Sequence, residues 1–184
     1  MQKQPFCIIV ALKVSKRGFK MQFKDGDLIT ALINGEVDAI AHCCNAQGVM
    51  GSGLAKQIRE RIPEAYDAYK AAPMTLGTNV IADVGNGKRV VNMIAQEYYG
   101  RGKRQVHYGA LATCLIYAAN RCMVDLIKKE GYKATRGKFK NYKLGVPYGL
   151  ASDLAGGDWN VVLELLEAVE MSGSVEVIVY KRRV

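Results

Sequence analysis

The sequence holds little of what metal centres and disulfide frameworks are made from. There are two histidines, His42 and His107, and five cysteines, Cys7, Cys43, Cys44, Cys114 and Cys122. The cysteine number is odd and no CxxC pair occurs, which argues against a stapled scaffold and for reduced, buried thiols. Two imidazoles are too few for a histidine-built zinc site, so no metal and no cofactor is expected. No run approaches the ~18 consecutive apolar residues of a membrane span. The apolar stretch Phe6 to Leu12 lacks both a basic leader of the usual form and a small-residue cleavage site. It therefore reads as a strand and not as a signal peptide. Repeats, low-complexity tracts and linkers are also missing, so residues 1–184 read as one domain. The expectation is a cytoplasmic monomer with no membrane partner.

What is present is ordinary for a globular chain: 49% apolar and 23% charged residues, with a formal net charge of +9. An excess of that size favours an anionic partner such as a nucleotide, a nucleic acid or an acidic surface. Strand-like and helix-like segments alternate. Strands are expected at Phe6 to Val14, Gly18 to Phe23, Val37 to His42, Thr78 to Asp83, Arg89 to Ile94, Leu144 to Pro147 and Val175 to Tyr180. Helices are expected at Leu28 to Ile33, Gly53 to Ile62, Glu64 to Tyr69, Val106 to Lys129 and Asp158 to Met171. The long one carries Leu111, Leu115, Ala118 and Cys122 as its inner stripe, and the last one Val161, Leu165 and Ala168. Such alternation predicts an α/β fold, a three-layer α/β/α sandwich on a mixed, largely parallel central sheet. Sheets of this kind bind ligands beyond the carboxyl ends of their strands.

Two loops of that type are rich in small residues. The first follows Val37 to His42 and runs Cys43-Cys44-Asn45-Ala46-Gln47-Gly48-Val49-Met50-Gly51-Ser52-Gly53. Its glycines allow close backbone approach to a ligand, and the helix behind it offers free N–H groups and a positive dipole end. That is a phosphate cradle, although a tight turn has the same appearance, and the Gly-Lys-Ser/Thr ending of a P-loop is missing. Asn45 can meet a sugar hydroxyl or cap its own loop. His42, at the expected strand end, can exchange a proton near neutral pH or be structural. The second loop runs from Tyr148 to Trp159. Asp158 there is a natural N-cap, or else a carboxylate that orients a water.

Gly26-Asp27-Leu28, the His42-x-x-Asn45…Met50-Gly51-Ser52-Gly53-Leu54-Ala55 segment and Leu154-Ala155-Gly156-Gly157-Asp158-Trp159 occur in this order. Together they resemble the macro-domain family over about Gly18 to Tyr180. The branch they are most similar to is the single-domain phosphatases of ADP-ribose 1″-phosphate. The resemblance implies that Asp27, with the Leu28 amide beside it, holds the adenine amino group. It implies that Asn45 meets the distal ribose, and that the backbones of Val49, Met50, Gly51, Ser52 and Gly53 and of Ala151, Ser152, Asp153, Leu154 and Ala155 wrap the diphosphate. It further implies hydrolysis of ADP-ribose 1″-phosphate, with His42 as acid or base and Asn45 and Asp158 assisting. The alternatives are a binding module for ADP-ribose or poly(ADP-ribose), and a hydrolase acting on ADP-ribosylated protein or nucleic acid.

The chain departs from relatives that remove ADP-ribose from macromolecules. Ala55 stands where many have Asp. Gln96, which the resemblance also places among the ligand-binding residues, stands where one branch has a lysine, and Ala155 where that branch has its acidic partner. Ala151-Ser152-Asp153 replaces a Gly-Cys-Gly. Tyr98, Tyr99 and Arg101 to Arg104 form a segment able to overhang the distal ribose, and Lys128 to Lys143 is strongly basic, either solvated or in contact with nucleic-acid phosphates.

Overall fold

The computed structural model describes residues 21–100, 102–130, 142–172 and 175–182. The expected strand Phe6 to Val14 and most of the basic Lys128 to Lys143 segment lie outside them. Six strands form one sheet: β1 (Gln22–Asp25), β2 (Ala39–Asn45), β3 (Thr78–Asp83), β4 (Arg89–Gln96), β5 (Tyr142–Pro147) and β6 (Val175–Lys181), in the order β1-β6-β5-β2-β4-β3. All neighbours are parallel except β3 and β4, an antiparallel hairpin closed by Gly85-Asn86-Gly87 in left-handed backbone. Because β1, β6, β5, β2 and β4 run the same way, the loops that leave them gather along one edge of the sheet.

Helices cover both faces. α1 (Leu28–Asn34), α2 (Gly53–Arg61) and α3 (Pro63–Ala71) pack on one side, where Leu32, Ile58 and Ala65 meet Ile40, Val90 and Ile178. α4 (Tyr108–Glu130) and α5 (Trp159–Met171) pack on the other, where Leu111, Leu115, Val162 and Leu166 meet Ala41, Val91, Leu144 and Val177. The central strands β2, β4, β5 and β6 are largely apolar on both faces, as a sheet covered twice requires. A Cβ at Gly145 would lie 2.8 Å from Leu28 Cδ1, so the missing side chain on β5 lets α1 settle on the sheet. The three-layer α/β/α sandwich with a largely parallel sheet is the expected one.

Three differences from the expected elements bear on the packing and the site. The first described strand runs to Asp25, two residues past the expected end at Phe23, while the expected start from Gly18 to Lys20 lies outside the described residues. In α5 the inward residues are Val162, Leu166 and Val169, one position past Val161, Leu165 and Ala168; Ala168 is exposed. Most important for the site, β2 does not stop at His42. It pairs with β4 through Cys43, Cys44 and Asn45, with a register shift between Cys44 and Asn45. His42 is therefore an interior strand residue.

Candidate functional site

His42 illustrates what that strand extension does. Alternation along β2 turns its ring toward the α1–α3 layer, and it is 2% exposed. Asn92 on β4 gives its amide hydrogen to the Ala65 carbonyl (3.0 Å), which leaves Asn92 Oδ1 facing the imidazole. His42 Nε2 donates to that oxygen at 2.6 Å, and its Nδ1 lies 3.7 Å from the Cys44 thiol. Burial pushes the His42 pKa down to about 4 against the opposing pull of the Asn92 bond. Both ring nitrogens are engaged in the interior and the ring stays neutral, so the expected placement at the mouth of the first loop is corrected. The thiols of Cys43 and Cys44 are raised by burial in the same region, which makes them poor nucleophiles.

Asn45, the last residue of β2, builds the first loop around itself. Its Oδ1 accepts from the amides of Gln47 (3.0 Å) and Val49 (3.1 Å), and its Nδ2 donates to the Val49 carbonyl (2.6 Å). From α3 the buried Tyr69 hydroxyl bonds the Asn45 carbonyl and reaches its Oδ1 at 3.1 Å. Those contacts fix the carboxamide with its oxygen inward and, among the described residues, leave one Nδ2 hydrogen uncommitted. Sequence reasoning passed over Tyr69, 24 residues away, because only the packing of α3 brings it here. Gln96 lies beside Asn45 at the end of β4 and accepts the Ala46 amide (2.8 Å), so its backbone carries the base of the loop.

Beyond Asn45 the chain turns through Gly48 (φ +71°) into α2. Met50 is buried; Val49, Gly51 and Ser52 are exposed. Ser52 occupies the N-cap position without giving a side-chain cap, and no acidic residue stands in the first turn. Lys56 is the first amide to bond back, to the Ser52 carbonyl at 3.1 Å. The amides of Gly53, Leu54 and Ala55 thus point out of the helix's open end. The Val49 amide is not among the available donors, since Asn45 uses it.

The second loop faces this opening. A Cβ on Gly53 would lie 3.4 Å from Leu154 Cδ1, so the two loops touch there. Ser152 and Asp153 close a turn on the Gly149 carbonyl (2.9 and 3.3 Å), which spends their amides; Leu154 and Ala155 have no such bond among the described residues. Ala151 sits in left-handed backbone (φ +59°), a conformation costing a non-glycine residue about 1–2 kcal/mol. Gln105 and Val106 donate to the Ala155 carbonyl (2.8 and 3.3 Å), and Glu97 accepts from Gln47, so the segment 97–106 ties one loop to the other. On it Tyr98 and Tyr99 are exposed. Asp158 caps α5 by accepting the Asn160 amide (2.8 Å), while its own amide is held by Tyr108. Trp159 packs against Tyr148 under the loop, ring centroids 5.1 Å apart.

At the far end of the same sheet edge, Asp27 caps α1. Its Oδ1 accepts from the Thr30 amide (2.7 Å), the Thr30 hydroxyl (2.8 Å) and Arg61 Nη1 (2.7 Å). Partial burial would raise the carboxyl, but these donors outweigh it and hold the group below the ordinary carboxylate range. Leu28, the next residue, is buried. The ends of β1, β6 and β5 are stitched beside it through Gly26 N to Lys181 O (2.9 Å) and Tyr148 N to Tyr180 O (2.8 Å). Among the described residues no cluster of three or more metal-ligating side chains occurs, and no helix is long and apolar enough to cross a membrane.

No family model matches the sequence. Over 84 residues, 42% of the chain, it is 30% identical to proteins named DNA ADP-ribosyl glycohydrolase from Mycobacterium bovis and Mycobacterium tuberculosis; the matched stretch spans 23% of their length. Among solved structures it is similar to a macrodomain protein from Streptomyces coelicolor (TM-score 0.64, 25% identity, covering 88% of this chain and 98% of that one). It is also similar to the macrodomain of Mycobacterium tuberculosis DarG (0.64, 23%, 89% and 98%). A third likeness is to Thermosipho africanus DarTG in complex with ADP-ribose (0.62, 19%, 86% and 40%). The sheet order, the two facing loops and these likenesses together give the chain the macrodomain fold.

Proposed function

We propose that this edge of the sheet binds ADP-ribose and that the chain hydrolyses a bond at C1″ of its distal ribose. The observation that carries the reading is the pair of open backbone cradles in contact at Gly53 and Leu154. The free amides of Gly53, Leu54 and Ala55 on one side, and of Leu154 and Ala155 on the other, suit a diphosphate placed between them. Asp27 lies at one end of that line as an ionised acceptor for the adenine amino group. Asn45 lies at the other, with one amide hydrogen left for a ribose hydroxyl. A solved relative by fold holds ADP-ribose, and two curated relatives are named for removing ADP-ribose from DNA.

The bond we favour is the glycosidic one to a modified macromolecule, with nucleic acid first because of those relatives and the +9 charge. Water adds to C1″, and the leaving atom departs with the bonding pair and takes up a proton. Gln96 and Ala155 replace the lysine and acid of one hydrolytic branch, so binding and orientation carry the rate here, which predicts slow turnover. The second reading is ADP-ribose 1″-phosphate as substrate, supported by the motif resemblance. It now lacks His42 as its acid or base, because that ring is committed inside the core. Asp158 serves as the cap of α5 in either case.

The test gives the chain an ADP-ribosylated oligonucleotide and, separately, ADP-ribose 1″-phosphate, and identifies the products by chromatography. Free ADP-ribose released from the oligonucleotide is the expected result. Phosphate released from the second substrate alone would establish the second reading, and turnover of neither would reduce the chain to a binding module.

A further inference from the structure

Arg61 is absent from every motif in the sequence, yet it reaches Asp27, the acceptor proposed above for the adenine amino group. It is the last residue of α2, and α2 begins at the phosphate cradle. Nine residues of helix span ~13 Å, so one element touches the diphosphate at its N-terminus and Asp27 at its C-terminus. The guanidinium is two-pronged: Nη1 donates to Asp27 Oδ1 at 2.7 Å and Nη2 to the Thr30 hydroxyl at 2.9 Å. Thr30 in turn gives both its amide and its hydroxyl to the same Oδ1. Three donors converge on one carboxylate oxygen, while Oδ2 takes none from the described residues.

That asymmetry is more than helix capping requires. The Thr30 amide alone satisfies the cap, and a lysine would supply the charge. A planar fork that bonds Asp27 and Thr30 together locks the plane of the carboxylate. It leaves one oxygen, charged and unable to donate, for whatever lies at the end of β1. Resting on the reading of this edge as an ADP-ribose site, we propose that Arg61 is a positioning residue for base selectivity: by holding Asp27 Oδ1 it reserves Oδ2 for the exocyclic amino group of the adenine.

The experiment is a double-mutant cycle between protein and ligand. Affinities are measured by calorimetry for the wild-type chain and Arg61→Gln, each with ADP-ribose and with the analogue that has hydrogen in place of the adenine 6-amino group. A hydrogen bond to a charged acceptor makes the amino group worth about 10- to 100-fold in the wild type. In Arg61→Gln the same group is expected to be worth threefold or less, while the affinity for the deamino analogue stays within about threefold of the wild-type value. A merely structural Arg61 would weaken both ligands alike and leave the amino contribution unchanged, which would overturn the proposal. If the wild type bound neither ligand, the ADP-ribose reading itself would fall, a result distinct from equal amino contributions in both proteins. Arg61→Lys keeps the charge and loses the fork, so a reduced amino contribution is expected there too. It serves as the second variant should Arg61→Gln unfold.

Discussion

Burial, against the opposing pull of the Asn92 bond, keeps the His42 ring neutral down to a pKa of about 4, whereas an imidazole in an unfolded chain titrates near ~6.5. Between those values the unfolded state binds a proton that the folded state refuses. Stability is therefore fully present above pH ~6.5 and declines as the pH falls toward 4. A displacement of this size corresponds to about 3 kcal/mol. Urea unfolding followed from pH 7 to pH 4 should show that decline, and His42→Gln should flatten it; an equal slope in both proteins would refute the assignment. Asp158 was legible in the sequence as a helix cap, because a cap acts within three residues of itself; the cap that Asp27 gives α1 is equally local but emerged only from the structure. Arg61 and Tyr69 were not legible, because their partners lie 34 and 24 residues away and meet them only through helix packing.

Two elements were misjudged for a physical reason each. α5 carries apolar residues at 161, 162, 163, 165, 166, 168 and 169, so two stripes one residue apart overlap. The sheet selects the stripe of Val162, Leu166 and Val169. β2 seemed to end at His42 because the following Cys-Cys-Asn breaks the apolar run. Pairing with β4 carries it on to Asn45, and pairing leaves no local mark. The loops were legible as glycine-rich turns into helices, but not which of their amides remain free, since that depends on turns such as the one closed on Gly149. Loop 2 depends on Gly157, where a Cβ would lie 2.6 Å from the Ala151 carbonyl oxygen and 2.9 Å from Val106 Cγ1. Backbone sits on one side and a packed side chain on the other, so neither yields cheaply. Gly157→Ala should cost about 1–3 kcal/mol and weaken ADP-ribose binding, because the amides of Leu154 and Ala155 move with the loop. Thermal unfolding together with a ligand titration checks both, and an unchanged melting temperature would contradict the packing argument.

At the scale of the whole chain, the order of strands and helices was readable from alternation alone, since a sheet buried on both faces demands helices on either side. The chemistry was readable only in outline. Three motifs fell on the loops that leave β1, β2 and β5, and the fold brings those loops to one edge, with Asp27 at one end, Asn45 at the other and the facing cradles between. The central claim is that this edge is an ADP-ribose site oriented by Asp27. It is tested most directly by calorimetric titration of the chain with ADP-ribose, beside Asp27→Ala. Losing the cap should cost about 1 kcal/mol of stability and leave the protein folded. The account predicts saturable binding of one ADP-ribose per chain, weakened at least about tenfold in the variant. Absence of saturable binding, or equal affinity in the two proteins, would contradict it.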